Sequence, residues 1–156
     1  MNINIRFSGY WSSREKLLIP PVSGLYCVYE GKYQSHKKQS NLITLHRLLY
    51  IGEAKDVQQA ITHHDDYDLW LCQLGRYDQL FFSFGEVSPP DYRRALAALI
   101  YEHQPGMNTE YRDDFPFGHT TLLLMGDNML LKEYFTAGMN GYMDNAFSSE
   151  IKIKRK

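Results

Sequence analysis

Cysteine is scarce in this chain. With two in 156 residues, Cys27 and Cys72, there is no disulfide framework and no metal-ligand spacing, and both read as buried thiols. Charge of one sign is also missing. Seventeen Lys and Arg against eighteen Asp and Glu leave a formal net charge of −1, so any nucleic-acid contact must come from a local basic surface. No run approaches the ~18 consecutive apolar residues of a membrane span, and Met1-Asn2-Ile3-Asn4-Ile5-Arg6 lacks the charged-then-apolar layout of a signal peptide. A cytoplasmic protein is the simplest expectation. What is present is a 44% apolar content, enough for the core of one compact domain over 1–150, followed by a basic tail at 151–156.

The pattern along the chain predicts an α+β fold. Ile3 to Phe7 alternates apolar and polar residues, as a half-buried strand does, and Leu25 to Tyr29 is an aromatic and β-branched run after the turn chemistry of Pro20 to Gly24. Gly31 to Leu45 reads as a long polar loop. Leu48 to Ile51 is a third strand, and if it pairs antiparallel with the second, the period of two can put Tyr26 and Tyr50 on one face. Asp56 suits the N-cap of a helix reaching about His64, with a short helical piece from Asp65 to Leu74. Gln79 to Phe84 is a buried strand. Ser88-Pro89-Pro90 starts a helix over Asp91 to His103, whose Ala95, Leu96, Leu99 and Ile100 form an apolar stripe ended by Pro105. Thr120 to Met125 is a strand, and Met129 to Phe135 is strand or helix.

Certain short motifs stand in a definite order. Gly24-Leu25-Tyr26 is followed by Tyr50-Ile51-Gly52, then by His64 fourteen residues after Tyr50, by Ala98-Leu99-Ile100 at a helix end, and by Pro105-Gly106-Met107-Asn108. This ordered set resembles the GIY-YIG nuclease family over roughly residues 20 to 115. The resemblance implies a small antiparallel sheet of about three strands flanked by helices, with extra strands at the N- and C-terminal ends. It also implies hydrolysis of a DNA phosphodiester with one Mg2+. In that family's terms Tyr26 activates or positions water, Tyr50 holds the nucleophile or phosphate, His64 assists proton movement and Asn108 orients its neighbours. All four are expected to converge on one concave site, lined also by Ala60 and Leu96.

Ala60 and Leu96 are the departures. The family's arginine falls ten residues beyond Tyr50, which is Ala60, and its metal-binding glutamate falls three residues before Leu99, which is Leu96. Phosphodiester cleavage develops charge on oxygen that a cation and a metal normally balance, and a leucine offers no oxygen ligand to a hard cation. The expectation is therefore a nuclease-like domain that binds single- or double-stranded DNA but cuts very slowly or not at all, whether as a natural pseudoenzyme or a disabled variant. Mg2+ belongs to an active family member, and no metal ligand is assigned here. Lys32, Lys37, Lys38, Arg93, Arg94 and Lys152 are the candidate phosphate contacts. Two other readings stay open: a protein-interaction module on the same scaffold, and an active endonuclease that recruits Glu53.

Overall fold

The computed structural model describes residues 1–34 and 42–138. Six strands form a single sheet: β1 (Asn2–Ser12), β2 (Gly24–Tyr33), β3 (Ile43–Ala54), β4 (Gln79–Gly85), β5 (Thr120–Gly126) and β6 (Tyr134–Ala137). Their order is β3-β2-β4-β1-β5-β6, mixed in direction because β1 and β5 run parallel while the other pairs are antiparallel. Among the described residues three α-helices, α1 (Val57–Thr62), α2 (Tyr67–Cys72) and α3 (Tyr92–His103), and a 3-10 helix at Ser13–Leu18 complete the α+β fold.

This corrects the expected sheet of about three strands. The antiparallel trio β3-β2-β4 is there, but β1 continues it through β4, and β5 and β6 extend it further. The expected loop from Gly31 to Leu45 is also corrected: β2 runs on to Tyr33 and β3 begins at Ile43, with Tyr33 packed edge-on against Phe81 at 5.3 Å. The polar residues there sit on a hairpin arm with one wet face, and their polarity alone does not distinguish such an arm from a loop. Ser88 makes no side-chain cap; Pro89–Asp91 forms a 3-10 turn and α3 follows it.

Burial explains why the strands look different in sequence. From Gly24 to Gly31 every residue of β2 is buried, because the strand is central and both its faces are covered. One face packs Leu25, Cys27, Tyr29 and Ile51 against Ala95, Ala98 and Leu99 of α3. The other packs Tyr26, Val28, Leu49, Leu80 and Phe82 against Val57, Ile61 and Trp70 of α1 and α2. At the start of β1 only Ile3, Ile5 and Phe7 are buried, on the α3 face, with Asn2, Asn4 and Arg6 exposed between them. Each fully buried large side chain contributes roughly 1.5–3 kcal/mol. Cys27 is buried, which pushes its thiol up to about 12, whereas Cys72 is exposed near the end of α2, a correction to the expectation of two buried thiols. Among the described residues no helix is long and apolar enough to cross a membrane.

Candidate functional site

β3 is an edge strand, so the outward backbone groups around Leu49 and Ile51 need partners from elsewhere. The chain after α3 supplies them. Gln104 ends the helix in the left-handed conformation (φ 51°), and Pro105 cannot continue it, so the backbone turns back toward β3. Met107 N–H then donates to the Leu49 carbonyl at 2.9 Å. The buried Asn108 side chain accepts from the Ile51 N–H and donates to the Ile51 carbonyl, both at 2.9 Å.

On the α1/α2 side of the same edge lies an aromatic cluster. The rings of Tyr26 and Tyr50 are 6.1 Å apart, and His64 stands 6.5 Å from Tyr26 and 5.1 Å from Tyr50. Trp70 backs the group, 4.4 Å from His64 and 5.4 Å from Tyr50. Gly52 pairs with Tyr26 across the sheet, and a Cβ there would fall inside the Tyr26 phenol; glycine is what lets the ring lie flat across the strand.

The protonation states follow from burial. Burial, with the Tyr50 hydroxyl beside it, holds the Tyr26 phenol far above its ordinary range, and burial followed by Asp66 raises Tyr50. At neutral pH both phenols are hydrogen-bond donors and acceptors, not phenolate bases. Burial also lowers His64, against the pull of Asp66 and Asp65, and its Nδ1 accepts from the Asp66 N–H at 2.9 Å. The neutral ring therefore carries its proton on Nε2.

A cavity of about 380 Å³ wraps over the β3 edge next to this cluster. Its lining comes from Tyr50, Gly52 and Glu53 of β3, from Asp66 just before α2, from Arg93 and Leu96 of α3, and from the segment Met107 to Tyr111, including Glu110. One carboxylate oxygen of Glu53, Oε2, is out of solvent without a hydrogen-bond partner. Tyr111 holds a left-handed backbone (φ 64°), a strained conformation for an aromatic residue, while lining the wall.

Of the residues singled out in the sequence, Tyr50, Asn108, Leu96, Glu53 and Arg93 line the cavity, while Tyr26 and His64 touch it through Tyr50. Ala60 does not join Leu96, which corrects the expected shared lining. Ala60 packs into the α1/α2 cluster and Leu96 into the α3 cluster, so the sheet stands between them. Arg94 also diverges from Arg93, since neighbours on a helix point ~100° apart; it lies over Phe117 at 5.5 Å. Lys32 is six residues along β2 from Tyr26, roughly 20 Å away, beside Asp78. Lys37, Lys38 and Lys152 lie outside the described residues.

Sequence reasoning missed Asp66, Glu110 and Tyr111 as cavity residues, and Lys55 and Arg112 as basic residues next in sequence to the lining. The available signal was proximity in sequence to Tyr-Ile-Gly and to Asn108. Position 96 presents an apolar side chain, which offers a divalent metal no ligand, and among the described residues no group of three or more His, Cys, Asp or Glu is set to hold an ion.

No family model, curated protein or solved structure matches this chain.

Proposed function

We propose that this chain is a GIY-YIG nuclease-like domain that binds DNA and cleaves it very slowly or not at all. The observation that carries the reading is the contact of Tyr26, Tyr50 and His64, three residues of the ordered motif set, beside a cavity lined by Asn108 and by Leu96. Position 96, where the family's metal-binding carboxylate falls, presents a leucine to the cavity, and position 60, where its arginine falls, is an alanine packed in the α1/α2 cluster. Arg93 is the cavity's cation.

Fluorescence anisotropy with single- and double-stranded DNA over a range of salt tests the binding. The expected outcome is an affinity that falls steeply with salt, with a log–log slope of about −0.7 to −0.9 per phosphate contact. Nicking assays with Mg2+ or Mn2+ are expected to show no cleavage by the unaltered chain, and Leu96→Glu is the change that adds an oxygen ligand to the cavity. Metal-dependent nicking by the unaltered protein that Glu53→Gln abolishes would replace this reading with an active endonuclease. A protein-interaction role is favoured by one specific observation: three carboxylates line the cavity against one guanidinium. Absence of DNA binding even at low salt would select it.

A further inference from the structure

The cavity and the backbone of DNA have mismatched charges. Glu53, Asp66 and Glu110 outnumber Arg93 there, so a phosphate inside meets net repulsion, and what fits must present hydrogen-bond donors. Its volume of about 380 Å³ is at the small end for ligand sites and admits one flat ring system, not a duplex. Tyr50 and Tyr111 supply aromatic surface on two different lining segments, and Leu96, Ile100 and Met107 are the cavity's apolar lining residues. Aromatic faces beside a polar acceptor are what an unstacked nucleobase meets in proteins that read single strands.

We propose that this cavity takes one unpaired nucleobase with an exocyclic amino group, guanine above the others, with the Glu53 carboxylate accepting its N–H donors. The inference rests on the reading that the chain binds DNA. Guanine places N1–H and N2–H side by side, matching the two oxygens of a carboxylate. Glu53 already has one oxygen without a partner, and its terminal torsion is soft enough to present both. Cytosine and adenine offer an amino group next to a ring acceptor, so only one oxygen is served. Thymine has no exocyclic amino group. Arg93, exposed at the cavity's margin, is placed for the phosphate that flanks the base, leaving the phosphate outside the acidic interior.

The test uses an oligothymidine strand and the same strand with one central guanine, inosine, adenine or cytosine, measured by anisotropy at fixed salt. The guanine strand is expected to bind about tenfold or more tighter than oligothymidine, with inosine, which lacks N2, losing most of that gain. Glu53→Gln is expected to erase the difference between the guanine strand and oligothymidine when both are measured on that variant. If that variant does not fold, inosine probes the same contact from the ligand side with the unaltered protein. Equal binding of guanine and inosine strands, or a preference that survives Glu53→Gln, overturns the proposal while leaving salt-dependent DNA binding standing. Failure to bind any strand at low salt overturns both. Tight binding of an arginine-rich peptide in place of DNA, lost in Glu53→Gln, also overturns it and assigns the acidic cavity to a protein partner.

Discussion

Asn108 serves Ile51 as a neighbouring strand would, its carboxamide bonding both the N–H and the C=O of that residue at 2.9 Å. Ile51 is fully buried, so neither group has water to fall back on. Asn108→Ala is expected to cost about 2–4 kcal/mol in urea unfolding, the range for orphaning two buried polar groups. Asn108→Asp keeps the acceptor but turns an ionised oxygen toward the Ile51 carbonyl. The folded state then binds a proton more tightly than the unfolded one, so this variant is expected to gain stability as pH falls, and a flat profile would contradict the geometry.

The Tyr26 ring occupies the space a side chain at Gly52 would need. Gly52→Ala is expected to destabilise by about 1–3 kcal/mol through overpacking. The same change made in a Tyr26→Leu background is expected to cost less by at least about 1 kcal/mol, because the clashing ring is gone. Additive costs in that double-mutant cycle would show that the glycine is needed for another reason.

His103 links α3 to the chain entering β6. Its Nδ1 lies 2.9 Å from the Leu99 carbonyl, which only accepts, so Nδ1 donates; Nε2 accepts from the Lys132 N–H at 2.8 Å. Burial is the main cause of its lowered pKa; Lys132 adds to it, while the Leu99 carbonyl and Glu102 oppose it. The unfolded chain therefore takes up the proton more readily. Stability is expected to be level above the ordinary histidine value of about 6.5 and to fall below it, by no more than about 1.4 kcal/mol per pH unit for this one group. His64, lowered by burial as well, adds a loss of the same sign. Urea midpoints from about pH 7.5 to 5 should fall less steeply in His103→Gln than in the unaltered protein.

Several elements were legible in the residues because they depend on local chemistry. The aromatic and β-branched run at Leu25 to Tyr29 predicts a strand and the alternation at Ile3 to Phe7 a half-buried one, and both are there; that β2 is covered on both faces is what the structure adds. Asp56 caps α1 through the Gln59 N–H at 3.0 Å. Pro105 ends α3. The tyrosines of the two motifs share a face, a possibility that antiparallel pairing allowed and that the register pairing Tyr26 with Gly52 decides.

The rest needed partners distant in sequence. A strand's pattern says which face is apolar but not which edge it joins, so the parallel union of β1 with β5, across more than a hundred residues, was invisible until both edges were seen together. Ala60 and Leu96 looked like two halves of one lining, yet they sit on helices that cover opposite faces of the sheet, and only the sheet's position between α1 and α3 separates them. The cavity is decided the same way. Glu53, Asp66, Arg93, Glu110 and Tyr111 meet because β3 is an edge and the chain after α3 returns to satisfy it. Composition and spacing determined the elements; the backbone's need to fill its hydrogen bonds at a free edge determined which charges share a site.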